Sequence, residues 1–242
     1  DASDGYWYPW GKKPNFEIRD GSFDFTKPLV KPERLVDLEV GTGYFAENYK
    51  LTANFYYMDF RNELIKNGQL NIFGDPIVGN AERTRHAGVE LTAEIKINGL
   101  EISGNTTISR NRIIKHGEYA WKNPYTGEEY ATPQRIDLAG KRIAGFPDHL
   151  GSIRVTYRNS GFMISVLGKY VGDFYTDNFN LESRKVDAYK VFDVTIGYRF
   201  GNFEVKVQIN NIFNELYAAS GVGDEFYPGA ERNYFVSFAF EF

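Results

Sequence analysis

The sequence offers few side chains that could perform covalent chemistry. It contains three histidines, His86, His116 and His149, and no cysteine. Nucleophilic catalysis needs a serine or cysteine within reach of a base. Ser152 follows His149 by three residues, so the two side chains would point to opposite faces of a strand. The chain also lacks the G-x-S-x-G, H-E-x-x-H and P-loop motifs, and we therefore predict no catalytic residue.

Aromatic and basic residues gather in the longest irregular stretch of the chain, residues 113–148. A loop of this length in a compact domain is usually functional or disordered. Its rings and its cation could contact a bulky ligand, although side chains of this kind often only pack loop against loop. The candidate ligand-binding residues are His116, Tyr119, Trp121, Tyr125, Tyr130 and Arg135.

Four acidic residues in or beside the long loops could offer oxygen ligands to Ca²⁺. They are Asp75, Asp173, Asp177 and Asp224. Their spacing is not that of an EF-hand, and acidic loop residues are ordinarily solvated. We therefore predict no metal site and no resident cofactor.

Alternation of apolar and polar residues dominates the rest of the sequence and indicates β-strands. In the last strand, Tyr234, Val236, Phe238, Phe240 and Phe242 share one face. A mostly aromatic row that ends the chain is what the closing strand of an outer-membrane barrel needs, since that row meets lipid. We count nine such strands, the first near Val36. The others begin near Leu51, Val89, Ile102, Ile153, Phe162, Phe192, Phe203 and Tyr234.

The connections between the predicted strands alternate in length. The short ones lie at residues 47–48, 98–99, 159–161 and 201–202, and the long ones at 65–80, 113–148, 175–187 and 212–231. Short turns at one rim and long loops at the other are typical of an outer-membrane barrel. A soluble β-sandwich gives no reason for such regular alternation.

The polar faces of the predicted strands carry many charged residues of both signs, among them Glu39, Glu90, Arg154 and Lys206. Burying them in a dry core would cost several kcal/mol each, whereas a hydrated lumen accepts them. The net charge is −4 and no basic stripe is present, which excludes a nucleic-acid partner. No apolar run approaches the roughly 20 residues of a spanning helix.

Five stretches between about Lys31 and Phe242 resemble the TonB-dependent receptors of Gram-negative outer membranes. They are KPER followed by LEVGTGYF, NAERTRHAGVELTAE with Gly88-Val89-Glu90 at its centre, AGKRIAGFPDH, NNIFNELY, and YPGAERNYFVSFAFEF. Each motif is short, but all five occur in the order that the family shows.

The resemblance implies an all-β fold: an antiparallel transmembrane β-barrel of about 22 strands that holds a plug. About nine C-terminal strands would lie in residues 34–242, after an extracellular loop region at residues 1–33, and no plug domain is found in this chain. Phe238, Phe240 and Phe242 would match the family's membrane assembly signal. Because open edges are not tolerated in lipid, the remaining strands and the plug would belong to another chain or a missing part.

The implied function is energy-coupled uptake of a scarce ligand across the outer membrane, not enzymatic catalysis. The ligand would be a ferric siderophore, a haem, a cobalamin or a similar compound, so that iron or cobalt belongs to the cargo. His116 could then ligate haem iron. Partners would be outer-membrane lipid and, through the plug, the TonB energy-transducing complex. A passive porin and an outer-membrane barrel enzyme remain alternatives, and the sequence does not identify the substrate.

Overall fold

The computed structural model describes residues 16–19, 22–28, 30–71 and 73–242. This part of the chain is almost entirely antiparallel β-structure, and none of its helices is long and apolar enough to cross a membrane. In chain order the strands are β1 (Phe16–Arg19), β2 (Ser22–Pro28), β3 (Arg34–Ala46), β4 (Tyr49–Leu70), β5 (Pro76–Ile97), β6 (Leu100–Lys115), β7 (Gly117–Lys122), β8 (Glu129–Asp137), β9 (His149–Asn159), β10 (Phe162–Val171), β11 (Phe174–Tyr175), β12 (Lys185–Val186), β13 (Tyr189–Phe200), β14 (Phe203–Asn210), β15 (Ala218–Val222), β16 (Glu225–Pro228) and β17 (Asn233–Phe240), with a 3-10 turn at Glu182–Arg184.

Nine of these strands form one sheet in the order β17-β14-β13-β10-β9-β6-β5-β4-β3. Each strand therefore lies beside the sheet strand that precedes it in the sequence, which is the up-and-down arrangement of barrels. β3 and β17 are the two edges, and the described sheet is open between them. The nine predicted strands are confirmed.

Tight turns join the sheet strands at one end, as predicted. Asn98 and Gly99, between β5 and β6, both have positive φ values, 48° and 80°. Ser160 and Gly161, between β9 and β10, repeat the pattern with 48° and 85°. Two positive φ values belong to the hairpin turns whose twist matches that of the flanking strands. The sequence signals at this end therefore specify both the turns and the register.

The predicted long connection at residues 65–80 is wrong. β4 and β5 each run for 22 residues, and only residues 71–75 separate them. The dipeptide Asn67-Gly68 was interpreted as a break, but Gly68 adopts φ +78° inside β4, where the register shifts between Lys66 and Leu70. A barrel strand needs about 9–11 residues to span the hydrocarbon, so this hairpin extends well beyond the membrane.

The other long connections contain further strands that the sequence did not indicate. β7 and β8 pair within residues 113–148, β11 and β12 within 175–187, and β15 and β16 within 212–231. In the region predicted as a loop at residues 1–33, β1 and β2 form a hairpin, while residues 1–15 lie outside the described residues. These short hairpins are loop elements, because they pair with one another and not with the large sheet.

The large sheet exposes its apolar face. Val40 is 63% exposed, Ile108 59% and Phe238 68%. The buried apolar core lies at the long-loop end, where Ile65, Ala81, Ile113, Leu138 and Ile143 pack together with Ile136 and Phe179 beside them. The molecule therefore buries apolar side chains among its loops and presents them to its surroundings along its strands.

Candidate functional site

Tyr119, Trp121 and Arg135 from the predicted ligand-binding set lie on the β7–β8 hairpin with their side chains exposed. Tyr119 is 72% exposed, Trp121 66%, and Tyr119 lies opposite Arg135 in the register. The Arg135 guanidinium pairs with Glu82 at 2.6 Å, which holds it against β5. The other face of the hairpin carries Ile136, which packs on the buried cluster. The exposed rings are thus available to a ligand, and the hairpin is anchored from behind.

His116, Tyr125 and Tyr130 are less exposed than Tyr119 and Trp121. Tyr125, at the hairpin tip, donates its hydroxyl to the carbonyl of Phe179 at 3.0 Å and carries the Lys141 ammonium 4.7 Å from its ring centre. His116 lies between β6 and β7, where burial lowers the pKa of its imidazole. The neutral ring is the form that can ligate a metal. Tyr130 is half-buried in β8.

A fully buried amide, Asn178, connects three separate segments at the long-loop end. Its amide nitrogen donates to the carbonyl of Lys66 at 2.6 Å and to the Glu118 carboxylate at 3.0 Å. Its oxygen accepts the backbone N–H of Ala144 at 3.0 Å. Buried polar groups must be satisfied in this way. The β4 tip, the β7–β8 hairpin and the segment before β9 are therefore held together.

Arg184 links two loops through a pair of carboxylates. Its guanidinium contacts the fully buried Asp177 carboxylate at 2.8 Å. It also donates two hydrogen bonds of 2.7 Å to the two carboxylate oxygens of Asp224. A bidentate arginine–carboxylate pair is among the strongest charged hydrogen bonds in proteins. The guanidinium also lowers the pKa of the Asp224 carboxyl below its usual range. The β11–β12 loop is thus fastened to the β15–β16 loop.

The four acidic residues considered as Ca²⁺ ligands all have protein partners. Asp75 bonds to Asn71, Asp173 to Arg142, and Asp177 and Asp224 to Arg184. Within the part of the chain that the structure describes, no group of three or more acidic, histidine or cysteine side chains could hold a metal ion. These carboxylates therefore fasten loops together.

A depression of about 410 Å³, lined by both apolar and acidic side chains, opens on the charged face of the sheet. His86 lies at its buried edge, 3.1 Å from the Glu63 carboxylate and 2.8 Å from the Asn111 amide oxygen. His86 occupies the middle of β5. The lining includes the carboxylates of Glu39, Glu63 and Glu90 and the rings of Tyr56, Phe60 and Phe146. Carboxylates beside aromatic rings suit a cationic group.

The terminal aromatic row follows the predicted alternation. Phe238 and Phe240 are exposed on β17, and Phe242 lies just beyond it. Phe238 stacks on Phe203 of the neighbouring strand at a centroid distance of 6.1 Å. This places the row on the apolar face at the edge of the sheet. Its role as a membrane assembly signal stays a prediction.

The sequence profile of a family described as TonB dependent receptor-like, beta-barrel, matches residues 2–212. The chain belongs to this family. TonB-dependent receptors are transport proteins of the outer membrane of Gram-negative bacteria, and that membrane is where this chain resides.

Solved TonB-dependent receptors share the fold. The ferric-catecholate import receptor Fiu from E. coli K12, in its closed form, superposes with a TM-score of 0.64 at 20% identity, over 95% of this chain and 29% of that one. The ferric yersiniabactin uptake receptor FyuA from Yersinia pestis gives 0.66 at 18% identity, over 87% and 30%. The siderophore receptor PiuA from Acinetobacter baumannii gives 0.65 at 17%, over 86% and 28%. The chain therefore spans less than a third of the length of these receptors.

The sequence did not reveal the residues that hold the loops of this receptor together. Arg184 and Asn178 are polar residues in a loop with no motif around them, and Asn178 contacts Lys66 from 112 positions away. Asp177 was noticed only as an isolated acid. Contacts of this range leave no local periodicity, so only the folded loops show them.

Proposed function

We propose that this chain forms the C-terminal wall of a TonB-dependent receptor that takes up a scarce, metal-bearing ligand across the outer membrane. The observation that carries the proposal is the division of the nine-stranded sheet into an exposed apolar face and a charged face. That division suits a barrel with lipid outside and water or a plug inside. The loop cluster at the long-loop end, held together by Asn178 and Arg184, supplies the surface that a ligand would contact first.

The ligand class we favour is a ferric siderophore. Three receptors of similar fold carry names that concern ferric catecholate, ferric yersiniabactin and siderophores. Haem and cobalamin remain the competing ligands of this proposal. The exposed rings of Tyr119 and Trp121 and the cation of Arg135 are the contacts we propose for the complex. Large aromatic side chains and arginine dominate the binding energy at most recognition surfaces.

The two open edges of the sheet and the acidic depression on its charged face would contact the remaining parts of the receptor. Because unpaired strand edges are unstable in lipid, we expect β3 and β17 to pair with further barrel strands. The depression lined by Glu39, Glu63 and Glu90 would face the plug, where basic side chains are the complementary partners. The plug in turn would connect the receptor to the TonB complex.

The proposal is tested by uptake of radioactive iron in the bacterium that encodes the chain. We expect deletion of its gene to abolish uptake of one ferric siderophore, and re-expression to restore it only when TonB is present. Cells given labelled haem and cobalamin in parallel identify the ligand class. Uptake that continues in the absence of TonB, with free permeation of unrelated small solutes, would show a passive porin and overturn the proposal.

A further inference from the structure

Four strands of the sheet bring a row of side chains together on the apolar face near the long-loop end. Thr106 of β6 pairs with Gly151 of β9, Gly151 with Tyr170 of β10, and Tyr170 with Lys190 of β13. Directly paired residues lie on the same face of a sheet. The row therefore places a lysine and an aromatic ring beside a glycine on the face that meets lipid.

Two apolar grooves border this row on its side toward the short turns. They lie on either side of Ile153. One has a volume of about 640 Å³ and the other about 270 Å³, and Ile153 lines both. The groove toward β13 is floored by Gly151 and Gly168, which lack side chains, and Phe192 forms its wall. The ring of Phe192 lies only 2.8 Å from the position that a Cβ on Gly168 would take. The glycine therefore allows the wall to approach the floor closely.

Tyr170 and Lys190 line the smaller groove, and His149 and Thr106 lie beside them. The Lys190 ammonium lies 6.0 Å from the centre of the Tyr170 ring, and the His149 ring lies 4.8 Å from the same ring. His149 Nε2 is 3.0 Å from the hydroxyl of Thr106. In the residues that the structure covers, no carboxylate lies within ion-pair distance of Lys190, whereas Lys169, on the opposite face, pairs with Asp193. The charge of Lys190 is therefore available to an anion.

We propose that this surface binds a phosphorylated, multiply acylated lipid of the outer leaflet. Its acyl chains would lie in the grooves beside Ile153, and a headgroup phosphate would meet Lys190 and the polar edge formed by Tyr170 and His149. The long-loop end of an outer-membrane barrel is extracellular, so these residues lie at the outer interface. Lysine and aromatic side chains are the residues that anchor proteins there. The proposal rests on the fold and the membrane location, and it is independent of the transported ligand.

Binding is measured by native mass spectrometry on the full receptor that contains this chain, purified from outer membranes and stripped of lipid by detergent exchange. The probe is lipid A carrying both phosphates, and the comparison probe is the same lipid after dephosphorylation. Lys190→Gln should weaken binding of the phosphorylated probe about fivefold, the effect of one cation at a lipid surface. Lys190→Arg should keep the affinity. Lys122→Gln, a change of an exposed lysine on the β7–β8 hairpin, should also keep it.

The groove is tested separately by Gly151→Leu, which fills its floor. A Cβ at this position would first meet the Thr106 hydroxyl at 3.4 Å, so the substitution is tolerable in the backbone. We expect it to weaken both probes, whereas Lys190→Gln weakens only the phosphorylated one. Equal affinity of the wild type for the two probes, or inorganic phosphate competing as well as the lipid, would overturn the proposal. If Gly151→Leu does not fold, the comparison of Lys190→Gln with Lys190→Arg still decides it.

Discussion

The nine-stranded sheet and the loop cluster at its long-loop end are stabilised by different surroundings. Along the sheet, apolar side chains such as Val40 and Phe238 point away from the protein and are more than half exposed. At the long-loop end, Ile113 and Leu138 are fully buried, and the polar Asp177 and Asn178 are buried with them. The sheet needs hydrocarbon to cover its apolar face, whereas the loops cover one another. The receptor therefore presents a preassembled loop surface on strands that depend on the membrane.

The polar groups show the same division. In the sheet, the strand ladders satisfy backbone groups, and charged side chains such as Glu39 and Glu90 lie on the face opposite the apolar one. In the loops, side chains such as Asn178 and Arg184 satisfy groups from distant segments. A loop cluster fixed in this way loses little freedom when a ligand binds, and such preorganisation favours affinity.

The largest expected effect comes from breaking the Arg184 link. Arg184→Gln leaves the Asp177 carboxylate buried without its cation. The expected loss of loop stability is about 3 kcal/mol. This is the low end of the range for breaking a buried ion pair, because Arg184 is partly exposed. Hydrogen exchange should accelerate in residues 175–187 and 212–231 and stay unchanged in the sheet. Asp224→Asn is the matched control, since its side chain is 76% exposed, and it should cost less than about 1 kcal/mol. Equal effects of the two variants would contradict the buried role of Asp177.

A charge on the apolar face probes the membrane half of the comparison. Val207 points outward from β14 and its neighbour Gln208 points inward. Val207→Lys should lower the free energy of unfolding in lipid bilayers by about 2 kcal/mol, whereas Gln208→Lys should be almost neutral. Urea titration of the receptor in vesicles measures both. Similar losses for the two lysines would mean that the faces do not differ in their surroundings.

The sequence predicted the half of the molecule that depends on the membrane and missed most of the other half. Alternation gave the nine strands because a sheet between lipid and water imposes period two on every residue. The turns at Asn98-Gly99 and Ser160-Gly161 could be predicted because Gly99 and Gly161 readily adopt the positive φ values found there. The loops obey no period, so β7, β8, β15 and β16 were not anticipated. The tip of β4 was missed because Gly68 was taken as a break.

The candidate ligand-binding site was predicted only in part, again because loops follow no sequence period. The aromatic residues of residues 113–148 were noticed by composition. Their division into two strongly exposed rings, Tyr119 and Trp121, and a hydrogen-bonded residue, Tyr125, could be seen only in the folded hairpin. Hydrogen bonds hold this hairpin to Phe179 and Asn178, which lie far away in the sequence. Their part in ligand binding stays a prediction.

Ligand contact gives a smaller expected effect than the two changes above. Trp121→Ala should weaken binding of the transported ferric siderophore about tenfold, the typical loss for one exposed aromatic contact, about 1.4 kcal/mol. Isothermal titration of the intact receptor measures it. Tyr125→Phe is the control, because it removes only the hydrogen bond to Phe179 and should leave affinity within about twofold. Unchanged affinity in Trp121→Ala would remove the exposed face of the hairpin from the site.

The smallest expected effect is the acid dependence of the loop link. Because Arg184 lowers the pKa of Asp224, this pair stabilises the loops above the pKa of an unfolded aspartate, about 3.9. The contribution is lost as the pH falls through the lower pKa of the folded state. Its size is about 0–1 kcal/mol, since the Asp224 carboxylate is largely exposed. Pepsin cleavage within residues 212–231 should rise at the acid end, and Asp224→Asn should remove that rise.

Alternate residues along one strand of the sheet meet lipid and water. The chain has no cysteine, so a cysteine introduced at successive positions of β13, such as Thr195→Cys or Ile196→Cys, is the single labelling site within this chain. Each variant is spin-labelled in the receptor within bilayers, after any cysteine elsewhere in the receptor has been replaced. We predict that oxygen broadens the label at position 196 and a water-soluble nickel chelate broadens the label at 195, with the same alternation along the strand. Labels that respond equally to the chelate at neighbouring positions, or outward positions shielded from both agents, would contradict the account.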